Sequence, residues 1–459
     1  MLKKYVGDKA FYRLVLSVAL PIMLQNGITN FVSMLDNIMV GRLDITQMNG
    51  AAIANQLIFI FTLCIFGAVA GAGIFSTQFY GKGDWDSIRH VFRFKILLAL
   101  GLTAVAVVVF LTCCTPLVSL YIDTSEDPVT IANTLAAARR YLFIMLIGLL
   151  PFALTQCFSG TLRECGETVL PMQAGIIAVL VNLLFNWLLI FGNLGFPALG
   201  VGGAAVATVL SRFVELTIVI CWTVRHRERF PFIKKAFRSL YIPLRLVGRV
   251  SAKGVPLMCN EALWALSVAF LNQCYATRGL YAVAAANITQ TFNNLFSVSY
   301  QAVGIAVGII LGQLLGAGEF KKVKEDYPRL LAFAVIASLA MAALFGGLSG
   351  VIPQLYNTPD AVKTLTTQLM MITACGIPLQ AHAFASYFAI RSGGNMLVTI
   401  CMDCGVTYLC VMPVLFVLSR YTTVSVLWLC VAYEALNSIK CFLGAWLLKR
   451  GHWMQNIVS

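Results

Sequence analysis

Apolar runs of about twenty residues recur twelve times along this chain, near 12–40, 50–76, 92–120, 136–160, 168–192, 199–224, 254–275, 284–313, 330–352, 365–390, 396–419 and 424–448. Each is long enough to cross about 30 Å of hydrocarbon as a helix. A helix closes its own backbone hydrogen bonds, and lipid offers the backbone no other partner. The runs therefore predict an all-α polytopic membrane protein with twelve transmembrane helices. Composition agrees, with 59% hydrophobic and 11% charged residues, where a soluble domain carries about 25% charge. The start, MLKKYVGDKAFYRLVLSVALPIML, has the outline of a signal peptide. No small-residue cleavage site follows and the apolar stretch continues to Val40, so it reads as the first span.

The net charge of +14 needs a location before it can mean anything. With the N-terminus on side one and sides alternating, twenty-five Lys and Arg collect on that side. Six fall on the other: Arg42, Arg139, Arg140, Arg278, Lys363 and Arg420. Positive charge concentrates on the cytoplasmic side of membrane proteins, so both termini are expected in the cytoplasm of a cell-membrane protein. The basic balance reports topology and requires no nucleic-acid partner. Cys401 and Cys404 form a CxxC, but no second Cys or His pair accompanies it, and they read as small buried residues, not as a zinc site. The histidines (His90, His226, His382 and His452) are dispersed and no nucleophile motif appears, so neither enzyme activity nor a cofactor is expected.

The chain repeats itself. Displaced by about 235 residues, spans one and two fall on spans seven and eight, pairing Pro21 with Pro256, Gly73 with Gly308, Gln78 with Gln313 and Gly81 with Gly316. TQFYGKGDWDSIRH and GQLLGAGEFKKVKE are one element twice. A weaker match sets Pro151–Arg163 against Pro378–Arg391. Six spans per half is an even number, so the halves are parallel repeats about an axis along the membrane normal. The expected division is an N-terminal lobe at 1–224, a basic cytoplasmic linker and candidate hinge at 225–250, and a C-terminal lobe at 251–459. Gly304, Gly308, Gly312 and Gly316 recur every four residues, a spacing that suits close helix packing. No phosphate-binding loop with its lysine is present, so transport would draw on an ion gradient and alternate access between two lobes.

Charge inside a span is costly and marks function by default. The intramembrane acids are Asp36, Glu215, Glu261, Asp403 and Glu434. Glu215 lies three residues after Arg212, which suggests a structural ion pair. Glu434 is six residues before Lys440, an awkward spacing for pairing, and Asp403 reads as an interfacial residue. Asp36 and Glu261 have no basic residue within a turn on their own helices. Asp36 is either a functional carboxylate or an outer-interface residue kept wet by Arg42 and Asp44. Glu261 is either a protonation or substrate group of the second lobe or a hydrogen-bonded structural carboxylate. Asn182 and Asn186 are four apart and face one way from span five; Thr208 follows on span six among small residues. A carboxylate, two amide oxygens and a hydroxyl are hard ligands fit for Na⁺ or a proton-linked network, although interhelical hydrogen bonding would also account for the Asn pair.

LPIMLQ…DNIMVGRL, FSTQFYGKGD, NLLFNWLLIFGNLGFPALGVGGAAVATVLSR, VPLMCNEALWAL and FAIRSGGN together resemble the multidrug and toxic compound extrusion (MATE) family over nearly the whole chain. That resemblance implies two parallel six-helix lobes around a central V-shaped cavity, exporting cationic, often aromatic compounds in exchange for Na⁺ or H⁺. It implies a cation site at Asp36, Asn182, Asn186 and Thr208. Some relatives carry Asp where Asn186 stands, which leaves one fewer titratable group here. One branch pairs a span-seven Glu with a span-ten Asp; Glu261 supplies the first, and span ten has no acid. The expected partners are small organic cations and the lipid bilayer, with no obligate protein partner and no metal beyond Na⁺. Two other readings remain: a flippase for a lipid-linked or amphipathic precursor, and a receptor or scaffold that transports nothing. Basic residues inside spans are nearly limited to Arg212 and Lys440, too few to line a cavity for pyrophosphate, and the duplication with its paired polar clusters speaks for transport.

Overall fold

A computed structural model of the protein describes residues 5–41, 43–122, 127–356 and 358–459. Its twelve long apolar helices are α1 (Lys9–Val40), α2 (Ile45–Lys82), α3 (Trp85–Thr112), α4 (Pro128–Glu164), α5 (Val169–Phe191), α6 (Val201–Arg225), α7 (Leu244–Ala276), α8 (Leu280–Gly316), α9 (Phe320–Gly347), α10 (Asp360–Ser392), α11 (Met396–Tyr421) and α12 (Val426–Arg450). No strand occurs among the described residues. Local chemistry sets the ends. Asp127 caps α4, accepting from the Val129 and Thr130 amides at 3.1 and 3.3 Å, with Pro128 opening the helix where no amide donor is needed. Gly192 stops α5 in the left-handed region at φ 72°. Asp44 accepts from the amide and hydroxyl of Thr46 at the start of α2, and these bonds, the hydroxyl's foremost, hold its carboxyl below the ordinary range.

The chain forms two compact units. The first comprises Met1–Met23, Thr77–Asp84 and Cys259–Ser459. Here the two copies of the repeated glycine element meet. A Cβ on Gly81 would lie 2.7 Å from the Gln313 carbonyl carbon, and a Cβ on Gly316 would lie 2.6 Å from Gln78 Cα. Each glycine lies against the glutamine backbone of the other copy, so the ends of α2 and α8 cross with nothing between them. The C-terminal segment fastens this crossing. Gln78 donates to Ser392 O at 2.8 Å and Gln455 O at 3.1 Å and accepts from the Ile457 amide at 2.8 Å, while Lys82 donates to Val458 O at 2.8 Å.

The second unit comprises Leu24–Ser76 and Trp85–Met258. The basic segment after α6 is anchored to α3. Arg93, which is 8% exposed, donates to the carbonyls of Ala236, Tyr241 and Lys235 at 2.7, 3.1 and 2.8 Å. Phe232 is fully buried against Phe92, ring centroids 5.1 Å apart. A surface pairing adds to it: Lys234 donates to Glu228 and keeps that carboxyl below its ordinary range. The expected hinge segment is thus a tethered element of this unit. Two residues after Arg93, Lys95, sealed from solvent, holds Glu164 at 2.5 Å and Thr161 at 3.1 Å. A lysine so buried persists only because its charge is paired and hydrogen-bonded.

Candidate cation-coupling site

Three helices of the second unit bring the predicted residues together. One turn separates Asn182 and Asn186 on α5, and both are buried, at 7% and 2% exposure. Glycine draws α6 onto α5: a Cβ on Gly203 would lie 2.6 Å from the Leu189 carbonyl carbon. That approach carries Thr208 to the α5 polar face. Asp36, near the end of α1, is half-buried, and Asn186 Nδ2 donates to its Oδ1 at 2.7 Å. The hydrogen-bond network also orients Asn182. Its amide nitrogen lies 2.9 Å from Asp36 Oδ2 and its oxygen accepts from the Thr208 hydroxyl at 3.2 Å, whereas the opposite orientation would set a carbonyl against an acceptor-only carboxylate. All four predicted residues are joined in one cluster.

The chemistry of the cluster is that of a carboxylate held without a counter-cation. No ion pair forms to Asp36 among the described residues, and its companions are neutral amides. Asn186 Oδ1 is buried and accepts no hydrogen bond among the described residues. A buried carbonyl oxygen beside a carboxylate is an unspent ligand, and an amide can rotate to turn oxygen instead of nitrogen toward a cation. The same carboxylate can take a proton. Of the two residues named in the interfacial alternative for Asp36, Asp44 spends its carboxylate on Thr46, and Arg42 lies outside the described residues. Interhelical bonding by the Asn pair is real, but it serves this cluster. Tyr141 on α4 was not singled out from the sequence. It is buried, donates to Asn55 Oδ1 at 3.2 Å, and lies within electrostatic reach of Asp36. Its only sequence signal is a phenol in an apolar run, which is too common to stand out.

The MatE family model matches residues 21–188 and again 256–417. The two matches begin at Pro21 and Pro256, the first pair of the internal repeat. The chain belongs to the MATE family. This is a family of multidrug efflux transporters of the membrane, not of enzymes. Among its relatives is the probable multidrug resistance protein NorM of Thermotoga maritima, 26% identical, with 89% of this chain and 85% of that one covered. The probable multidrug resistance protein YoeA of Bacillus subtilis is 25% identical over 92% of this chain and 90% of its own. The fold is close to that of a MATE crystallised in complex with MaD3S, with a TM-score of 0.86 at 17% identity and 98% of each chain covered. An outward-facing multidrug resistance MATE transporter gives a TM-score of 0.82 at 18% identity, covering 98% of this chain and 97% of its own.

The other acids of this MATE chain lie elsewhere. Arg212 and Glu215 do not form the expected ion pair. Arg212 donates instead to Gly148 O at 3.2 Å and lies over the Phe152 ring at 5.0 Å, so the neighbouring helix offers the better partners. Glu261 forms no hydrogen bond or ion pair among the described residues; Arg391 and Asp403 are the charges that act on it. Glu434 accepts from the Gln380 amide at 2.9 and 3.2 Å, and Lys440 pairs with Asp403 at 2.7 Å. Of the two CxxC cysteines, Cys404 is buried and Cys401 exposed, so only one fits the small-buried reading.

Proposed function

We propose that this chain is a cation-coupled antiporter, exporting cationic, often aromatic organic compounds in exchange for Na⁺ or H⁺ by alternating access. The observation that carries the reading is the Asp36–Asn182–Asn186–Thr208 cluster: one carboxylate, buried amides, and an amide oxygen with no donor among the described residues. Asp36 accepts a proton or, once the amides turn their oxygens inward, ligates a small cation with Thr208 completing the set. The two cannot hold the carboxylate at once, so ion binding and release give the unit two states of different charge. Coupling requires only that the substrate favour one of them. One elementary charge moving inward down about 100 mV yields roughly 2.3 kcal/mol, about fiftyfold in concentration; electroneutral exchange forgoes that contribution. The charge bias supports an orientation in the cell membrane with both termini on the cytoplasmic side. No cofactor and no obligate protein partner enter this scheme. The relatives' names as probable multidrug resistance proteins support drug-like organic compounds as substrates.

Export of a fluorescent organic cation from sealed vesicles, with Na⁺ and pH gradients imposed separately, tests the reading. Uphill movement driven by either gradient supports it. Flux that stays downhill under both would sink it.

A further inference from the structure

A second carboxylate–asparagine pair lies in the first unit, and it differs from the Asp36 cluster in one respect. Asp403 on α11 accepts from Asn260 Nδ2 at 3.0 Å through Oδ2 and from Lys440 Nζ at 2.7 Å through Oδ1. Asn260, on α7, is 2% exposed, and its Oδ1 takes the Cys404 thiol at 3.0 Å. Where Asp36 has only neutral amides, Asp403 has an amide and an ammonium. The backbone here is irregular. Cys401–Gly405 and Thr407–Val411 form two successive wide turns with i→i+5 bonding, a conformation that costs stability and recurs at functional sites. Glu261, next to Asn260 in sequence, is a second carboxyl group within electrostatic reach of Asp403 and Cys404.

A structural ion pair in this protein has another form. Lys95 is 0% exposed and its Glu164 partner 11%, with Thr161 completing the lysine's bonds. Lys440 and Asp403 are 16% and 23% exposed, so this pair is the less enclosed of the two. The lysine sits on α12, on a flexible four-carbon stem that lets its head group leave without moving a helix.

We infer that Asp403 and Asn260 form a second cation site whose resident ion is the chain's own Lys440 ammonium, and that a small alkylammonium group competes with Lys440 for it. A tethered ammonium acts at an effective concentration of millimolar or more. It therefore fills the site in place of a dilute free cation and yields to a ligand that offers the same chemistry at higher concentration or with added contacts. The inference stands whether or not Asp36 couples export.

The test is binding of radiolabelled methylammonium, the smallest mimic of the lysyl head group, to the full chain in lipid nanodiscs. Lys440→Ala is expected to gain saturable binding at least tenfold tighter than the wild type. Lys440→Arg, which keeps a tethered cation, is expected to stay at the wild-type level, and the neutral double variant Lys440→Ala/Asp403→Asn is expected to lose the gain. Should Lys440→Ala be unstable because Asp403 is left alone, methylammonium is expected to raise its melting temperature while leaving the double variant unmoved. Binding by Lys440→Ala no tighter than wild type overturns the inference. So does a gain that survives Asp403→Asn, or an unstable Lys440→Ala that methylammonium fails to steady.

Discussion

Replacing Gly316 with Ala tests the crossing on which the first unit is built. The new Cβ would lie 2.6 Å from Gln78 Cα, whereas non-bonded carbons settle at about 3.5–4.0 Å. The ends of α2 and α8 would have to part by about 1 Å. α2 is not free to give way, because the Gln78 side chain is bonded to Ser392 O, Gln455 O and the Ile457 amide, and Asn456 of the same segment donates to Gly316 O at 3.3 Å. Overpacking of this kind costs about 1–3 kcal/mol, a factor of roughly 5 to 150 in the folded population. Gly101→Ala is the matched control. Its Cβ would meet nothing within 4 Å, and Ala is favoured over Gly inside a helix by about 0.5–1 kcal/mol. Thermal unfolding read by a thiol-reactive dye suits both variants, since Cys157, Cys165 and Cys404 are buried in the native fold. Gly316→Ala should melt several degrees below wild type and Gly101→Ala at or above it. A Gly316→Ala protein as stable as wild type would refute the close approach.

Three further outcomes are expected. In a double-mutant cycle on ion-dependent export, Asn186→Ala and Asp36→Asn should couple by about 1 kcal/mol or more, because both remove one charge-assisted bond; additive effects would place them in separate sites. Arg93→Ala removes the donors to three carbonyls, so trypsin should cut at Lys234, Lys235 and Arg238 at least tenfold faster, and an unchanged digestion rate would mean the segment is held elsewhere. Glu261→Gln should change export or its pH dependence while leaving the protein folded and in the membrane; wild-type behaviour on both counts would return Glu261 to a structural role.

Much of the fold was legible because lipid imposes a rule on every span at once. Twelve apolar runs became twelve helices, and the 235-residue displacement pointed to Gln78, Gly81, Gln313 and Gly316 before their crossing was visible. The Asp36 cluster was legible for a different reason: Asn182 and Asn186 share a helical face by spacing alone, Asp36 stands in its span with no basic residue within a turn, Thr208 follows among small residues, and the family resemblance joined the four into one site. What spacing could not supply was partnership between helices. Arg212 and Glu215 had the right separation, yet Gly148 and Phe152 on α4 drew the guanidinium away. Asp403 and Lys440 stand 37 residues apart on different spans, and nothing on either helix announces the other. The wide turns of α11 left only one local mark, Pro413, whose missing amide cannot continue the ladder. The anchoring of the basic linker was equally hidden, because Arg93 binds backbone carbonyls, which every residue has.

Asp36→Asn removes the proposed coupling group itself. The substitution keeps size and hydrogen-bonding capacity and removes the charge, so insertion and folding should survive, and the apolar and aromatic surroundings can still bind substrate. The measurement is uphill export of an organic cation from vesicles under an imposed Na⁺ or H⁺ gradient, at matched protein levels. Asp36→Asn is expected to lose concentrative export and to retain at most downhill flux. Uphill export at the wild-type rate from Asp36→Asn would contradict that coupling role.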